Sequence, residues 1–194
     1  EYGEIITRAT DLRENYVKRC VGLPGQTLEI RNHIVYLDGK ANKEPENVQY
    51  TYRVKLKQSI PEEVMDDLGI SMEDLTSLNT LGYMPLTKHA VASLQGRKDV
   101  VESVTLNTDA NDLEIYPLNG NMHWTRDNYG PIWIPKKGES INLTLDNIAI
   151  YERPIKVYEG NDLQIRDGKI FINGQEAKKY TFKMDYYWMQ GDNR

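Results

Sequence analysis

A single lysine in a short alternating run near the start of the chain is the first side chain to consider for chemistry. The run is Tyr16-Val17-Lys18-Arg19-Cys20-Val21, and a Gly-Leu-Pro-Gly turn at 22–25 closes it. In an extended strand Tyr16, Lys18 and Cys20 share one face, and Arg19 projects from the other. A lysine amine can act as a general base once apolar neighbours desolvate it, whereas a guanidinium stays protonated. From these residues alone, an edge strand with a solvated lysine is the favoured interpretation.

The composition indicates a folded, β-leaning chain without a nucleic-acid surface. Of the 194 residues 39% are hydrophobic and 27% charged, which is enough apolar material for a core. Thirteen Tyr against two Phe favour half-buried strands. A net charge of −5, with no basic stripe, argues against binding nucleic acid.

No metal, cofactor or disulfide is expected. Cys20 is the single cysteine, so no intramolecular disulfide can form. The three histidines, His33, His89 and His123, are scattered without metal-ligand spacing and are expected to be ordinary loop or surface residues. No run approaches eighteen apolar residues, so no membrane span is predicted within the sequence. The abrupt start, without Met, leads us to expect a fragment of a longer protein.

Two similar hairpins are predicted far apart in the chain. Alternating residues around an Asn-His turn predict a hairpin over 26–40. A similar pattern recurs at 163–174, and the same offset of 135 residues separates Leu28 from Leu163 and Gly39 from Gly174. Duplication of a β unit is one interpretation. Convergence of unrelated hairpins on the same turn chemistry is the other, and it is slightly favoured because the similarity is short.

The middle of the chain differs in character from both ends. Its patterns predict strands over 48–56 and 100–106, a helix from Pro61 to Gly69, a short capped turn at Ser71 and a helix from Thr87 to Gly96. We therefore predict a mainly β protein with a mixed α+β insertion. The β-rich core would comprise 1–45 and 129–194, and the inserted subdomain 46–128.

The C-terminal third is predicted to be extended. Turn-rich residues at 119–121 and 127–131 are interpreted as a linker that returns from the insertion. Strands are predicted near 140–145 and 147–152, and the last strand over 180–188.

Two separate motifs resemble bacterial type I signal peptidases. The ten residues 16–25 resemble the lysine-bearing box of that family. Gly191-Asp192-Asn193-Arg194 is similar to the start of the family's final box, and the lead-in 187–190 is similar as well. The amino-acid sequence of residues 130–138 is also similar to that family and supports the same resemblance. The boxes stand in the family's order and bracket nearly the whole chain.

The resemblance implies a serine endopeptidase that uses a Ser-Lys dyad on a coiled β-sheet core. Lys18 would be the general base, with Tyr16 and Met189 as candidate packing walls. Gly191, Asp192, Asn193 and Arg194 would support the same site. The implied substrates are signal peptides of exported preproteins. The implied location is the bacterial cytoplasmic membrane, reached through an N-terminal anchor, with the catalytic domain on the outer (periplasmic) face.

One departure from the family concerns the nucleophile. The family's serine lies in a Ser-Met box upstream of the lysine, but all six serines of this sequence follow Lys18. Ser71-Met72 is a Ser-Met pair in the context of a helix cap. We therefore expect a fragment that lacks the membrane anchor and the nucleophile box and is inactive alone. The alternative is a non-catalytic β-rich module that binds peptides or takes part in assembly.

The two boxes should also meet in space. If their strands lie side by side, Arg19 can grip the Asp192 carboxylate through two parallel hydrogen bonds behind the lysine. The alternative is two solvated charges.

Overall fold

Strands dominate the chain in the computed structural model, which describes residues 17–108, 115–118 and 122–193. The predicted mainly β class is therefore confirmed. Tyr16 and Arg194, two of the predicted site residues, lie outside the described residues.

The described residues form the following elements. The strands are β1 (Arg19–Gly22), β2 (Thr27–Arg31), β3 (Ile34–Leu37), β4 (Lys40–Ala41), β5 (Gln49–Leu56), β6 (Tyr83–Thr87), β7 (Val101–Leu106), β8 (Tyr129–Trp133), β9 (Ser140–Asn142), β10 (Leu163–Arg166), β11 (Lys169–Ile172), β12 (Gln175–Glu176), β13 (Lys179–Thr181) and β14 (Trp188–Gln190). The helices are α1 (Glu62–Leu68), α2 (Met72–Leu81), α3 (Lys88–Gly96), α4 (Ile148–Arg153) and a π-helical segment Pro154–Tyr158. The strands pair as β4-β3-β2-β8, β6-β5-β7, β10-β11-β12, β13-β9 and β1-β14.

Both predicted hairpins form, and their similarity extends to a third strand. The β2–β3 turn uses Asn32 and His33 at φ +47° and +72°, and the β10–β11 turn uses Asp167 and Gly168 at φ +50° and +72°. Such left-handed pairs match the twist of two-residue hairpins. Strands β4 and β12 continue each hairpin, again 135 residues apart. The correspondence therefore covers a three-stranded meander.

The middle of the chain has the predicted strands and helix caps. Gly69 ends α1 at φ +64°, Ser71 and Asp74 form a reciprocal capping box at α2, and the Thr87 hydroxyl accepts a hydrogen bond from Ala90 N at α3. Helix α2 is ten residues long rather than the short turn predicted, because Leu78 on its inner side is buried.

Two hydrophobic clusters form the core. Leu28, Ile155 and Phe182 are almost fully buried in the first, and Met84 and Leu94 in the second. The second cluster draws its buried residues from 54–104. Ile115, Met122 and Trp124 pack against the first cluster, although they fall within the predicted insertion. The boundaries of that insertion stay a prediction.

The strand predicted over 147–152 is wrong, because this segment is helix α4 and continues into the π-helical Pro154–Tyr158. Its alternating Ile and Tyr residues resemble a strand. However, Ile148, Tyr151 and Ile155 recur at helical spacing and are all buried. Just before the helix, the Asn147 side-chain oxygen accepts a hydrogen bond from Thr144 N, and Asn147 N donates one to the Thr144 hydroxyl.

The predicted linker at 127–131 contains the start of strand β8. Gly130 makes the pairing with β2 possible: it has φ +86°, and an added Cβ would lie 2.7 Å from the Leu28 carbonyl oxygen. The last strand, predicted over 180–188, is divided into β13 and β14. Between them, backbone N–H groups of Lys183 and Met184 donate to the Glu159 carboxylate instead of to a neighbouring strand.

Candidate functional site

The lysine box and the final box form one antiparallel strand pair. Strand β1 pairs with β14 so that Arg19 is opposite Gln190 and Cys20 is opposite Met189. Continuing this register places Lys18 opposite Gly191. The side chain does lie there, since a Cβ added to Gly191 would be 3.2 Å from Lys18 Nζ. The prediction that the boxes meet in space is confirmed.

Strand β1 contains a bulge that fixes it against the first hydrophobic cluster. The register shifts between Cys20 and Gly22, and Val21 at the bulge is buried. A Cβ on Gly22 would approach Ile134 Cδ1 to 2.4 Å and Trp188 Cβ to 3.1 Å. The glycine that starts the Gly-Leu-Pro-Gly turn is therefore required for close packing.

The face that carries Lys18 is open to solvent. Lys18 and Cys20 are both exposed, and Met189 is 51% exposed. Opposite residues of an antiparallel pair share a face, so Met189 lies on the side of Cys20 and Lys18. Met189 therefore has the position expected of a packing wall but is itself half exposed. The apolar shielding expected of a lysine base is not supplied by the described residues.

The opposite face carries the predicted ion pair. Arg19 Nε donates to Asp192 Oδ1 at 2.9 Å and Arg19 Nη2 donates to Oδ2 at 2.5 Å. The hydrogen bond from Asp192, and then its charge, raise the pKa of the Arg19 guanidinium. This bidentate geometry confirms the predicted ion pair between Arg19 and Asp192.

Asp192 and Asn193 also connect the site to the sheet of the second cluster. Gln49 N donates to the Asp192 carbonyl oxygen at 2.7 Å, and Asn193 forms a parallel bridge with Gln49 at the start of β5. The final box is thus held between the lysine strand and the central strand of the β6-β5-β7 sheet. Sequence reasoning missed this link, because no local signal at Gln49 indicates a partner so distant in sequence.

A cavity of about 620 Å³ lies beside this junction, on the side of Gln190. Its walls come from both sheets and from β14, and they include Ile30, His33, Tyr50, Leu106, Tyr129 and Trp188. His33 is a turn residue as predicted. Its side chain is only 16% exposed, and its Nδ1 lies 2.6 Å from Asp127 Oδ1. The cavity was not predicted, because its walls come from distant parts of the sequence.

Three of the six serine hydroxyls are hydrogen-bonded to groups other than Lys18. Ser71 caps α2, as expected, Ser77 donates to the Tyr83 carbonyl oxygen, and Ser140 bonds Thr181. Within the described ranges, no group of His, Cys, Asp and Glu side chains is arranged to hold a metal ion. None of the described helices is long and apolar enough to cross a membrane.

Comparison with known proteins identifies the family. The family model described as "Signal peptidase, peptidase S26" matches residues 1–98, half of the chain. Signal peptidase IB from Staphylococcus aureus strains Mu50 and N315 is 34% identical over 58 residues. That match covers 30% of this chain and 29% of each relative, so it spans less than a third of the relatives' length. No solved structure matches.

The paired boxes and the family match define the class of this protein: it is a member of a peptidase family. The chain belongs to the signal peptidase family, peptidase S26.

Proposed function

We propose that this chain is part of a type I signal peptidase that removes N-terminal signal peptides from exported preproteins. Lys18 is the general base of its Ser-Lys dyad. The observation that carries the proposal is the position of Lys18 over Gly191, where the two boxes meet. Family membership supports the class of reaction.

The chemistry requires an uncharged lysine amine beside a hydroxyl. The amine removes the serine proton as the oxygen attacks the scissile carbonyl carbon, and the resulting ammonium protonates the leaving amine. Water then hydrolyses the acyl-enzyme. Arg19 cannot replace Lys18, because it points to the other face and stays protonated in its pair with Asp192.

The nucleophile is proposed to come from residues outside this sequence. All six serines follow Lys18, and Ser71, Ser77 and Ser140 have structural roles elsewhere. The oxyanion hole and the apolar wall around Lys18 would come partly from the same region, together with Tyr16 and Met189. The 194 residues alone would then be inactive.

The final box is proposed to position the base. Gly191 leaves room for the lysine side chain, Asp192 holds Arg19 from behind, and Asn193 continues toward β5. Arg194 is assigned to this box by resemblance alone.

The complete enzyme is proposed to be anchored in the bacterial cytoplasmic membrane, with its catalytic domain on the outer (periplasmic) face. Its partners are signal peptides and the membrane.

Substitution of the base in the complete enzyme tests the proposal. Lys18→Arg should abolish cleavage of a preprotein while circular dichroism and Tm stay unchanged, since a guanidinium keeps a positive charge but cannot accept the proton. Lys40→Arg, in exposed strand β4, is the matched control and should cleave normally. Cleavage by Lys18→Arg at the wild-type rate would exclude Lys18 as the base.

A further inference from the structure

The two three-stranded meanders, β2-β3-β4 and β10-β11-β12, share hydrogen bonds as well as strand order. In the first, Asp38 N donates to the Thr27 carbonyl oxygen and Thr27 N donates to the Asp38 carboxylate, both at 2.8 Å. In the second, Asn173 N donates to the Asp162 carbonyl oxygen at 2.8 Å, and Asp162 N donates to the Asn173 side-chain oxygen at 2.9 Å. The two meanders can therefore be compared position by position.

The meanders differ at one edge. In the first, β8 pairs with the outer edge of β2, and Ile30 on that strand is only 6% exposed. In the second, no strand of the described residues pairs with the corresponding edge of β10. Ile165, the counterpart of Ile30, is 48% exposed. Among the described residues, the second meander thus has an open edge where the first has a neighbouring strand.

The open edge carries backbone groups that can pair with a further strand. Arg166 is opposite Lys169 across the two-residue turn between β10 and β11. In such a hairpin the residues beside the turn exchange hydrogen bonds, and every second residue directs its N–H and C=O to the other side. On β10 these are Leu163 and Ile165. An edge of this kind is a template for an added strand.

The residues along this edge are complementary to themselves. A two-fold axis at Gln164 places Leu163 opposite Ile165 of the partner subunit. The same axis places Asp162 opposite Arg166 of the partner subunit, and both residues are exposed. Each contact occurs twice in such an interface, and opposite charges that face each other across antiparallel strands stabilise it. Moving the register by two residues in either direction would lose both ion pairs.

We propose that a second copy of this chain pairs antiparallel with β10, so that the two meanders form one six-stranded sheet. Arg166 is held on the required face, because its guanidinium lies 4.7 Å from the centroid of the Phe171 ring, which shares the face of Gln164. The interface is short, so the dimer is weak and reversible. The proposal concerns assembly, and it holds or fails independently of the role of Lys18.

Analytical ultracentrifugation of the 194-residue chain tests the proposal. The average mass should rise from 22.4 kDa toward about twice that value between about 10 μM and about 1 mM, with a Kd on the order of 100 μM. Amide hydrogen exchange at Leu163 and Ile165 should slow over the same range. A mass of 22.4 kDa at every concentration would reject a second copy as the occupant of this edge.

Charge reversal tests the register. Arg166→Glu puts a carboxylate opposite Asp162 of the partner subunit and should raise Kd about 10-fold, since both symmetric contacts change from attraction to repulsion. Asp162→Arg combined with Arg166→Glu restores opposite charges and should return Kd to within about 3-fold of wild type. Arg31→Glu is the control, because Arg31 stacks on Tyr36 at the same 4.7 Å in the first meander; it should leave Kd unchanged. Failure of the double variant to restore the dimer would reject the proposed pairing.

A second variant tests the apolar contact. Ile165→Lys would place an ammonium beside Leu163 of the partner subunit and should abolish the dimer. Ile34→Lys, at a side chain that is 43% exposed on β3, is the matched control and should leave Kd unchanged. Circular dichroism and Tm establish that each variant is folded. A dimer that survives both Ile165→Lys and Arg166→Glu would place the interface elsewhere and overturn the proposal.

Discussion

The two faces of the β1–β14 strand pair differ in how complete they are. On one face Lys18 and Cys20 are exposed and Met189 is half exposed, over a glycine that leaves space. On the other face Arg19 donates two hydrogen bonds to the Asp192 carboxylate. Beyond that pair lies a cavity with walls from the β4-β3-β2-β8 and β6-β5-β7 sheets.

This difference shows which functions the described residues can perform alone. A bidentate ion pair needs only that its two partners lie in register, and the pairing of β1 with β14 provides this register. A neutral lysine base needs apolar surroundings and a hydroxyl within reach, and the described residues supply neither. The described residues therefore position Lys18, but they do not place at it the apolar surroundings and the hydroxyl that the proposed catalysis requires.

The largest expected effect concerns the solvent-exposed face of the β1–β14 pair, which carries Lys18. The purified 194-residue polypeptide should show no Lys18-dependent turnover of a signal-peptide substrate, because a base without a nucleophile cannot form an acyl-enzyme. Mass spectrometry of the products after prolonged incubation measures this. Turnover that disappears with Lys18→Ala would show that the 194 residues already supply the nucleophile.

A smaller effect is expected from filling the space under the lysine. In the complete enzyme Gly191→Ala would place a Cβ 3.2 Å from Lys18 Nζ and 3.7 Å from Lys18 Cδ. The flexible side chain can move aside, so Tm should change little. Displacement of the base should lower kcat on the order of 10- to 100-fold.

The matched control for this change is Gly96→Ala. An added Cβ at Gly96 has no neighbour within 4 Å, so both kcat and Tm should be preserved. A Gly191→Ala enzyme with wild-type kcat would show that the position of Lys18 over Gly191 does not matter.

The smallest effect is expected on the face opposite Lys18, which carries the Arg19–Asp192 ion pair. Asp192→Asn removes the charge that holds Arg19, but the two side chains are 48% and 34% exposed. Screening by solvent should limit the fall in Tm to about 3 °C or less. The difference from wild type should shrink near 1 M salt, where charges are screened within about 3 Å. Thermal unfolding at two salt concentrations measures both effects.

Glu102→Gln provides the comparison for this pair. It disrupts the more exposed Lys55–Glu102 contact, which has a single 3.1 Å hydrogen bond, and should change Tm even less. If Tm falls equally in both variants, the bidentate geometry of the Arg19–Asp192 pair adds no stability beyond that of a single hydrogen bond.

Part of the fold could be predicted because it depends on neighbours in sequence. The capping box of Ser71 and Asp74 and the left-handed turn at Asn32 follow from local hydrogen bonds and backbone preferences. The helix over 148–153 was missed for the opposite reason. Its alternating residues fit a strand, but burial of Ile148 and Tyr151 on one side favours a helix.

By itself the sequence determined the chemistry that each segment offers: an amine at Lys18, a guanidinium on the other face of its strand, and a carboxylate in the final box. These properties depend on residue type and on the two-residue period of a strand. Only the tertiary structure decided that Lys18 lies over Gly191, that Asp192 also contacts β5, and that Tyr129, Trp188 and Gln190 line one cavity. These contacts join residues far apart in sequence, and their register follows from the packing of buried side chains that no local pattern encodes.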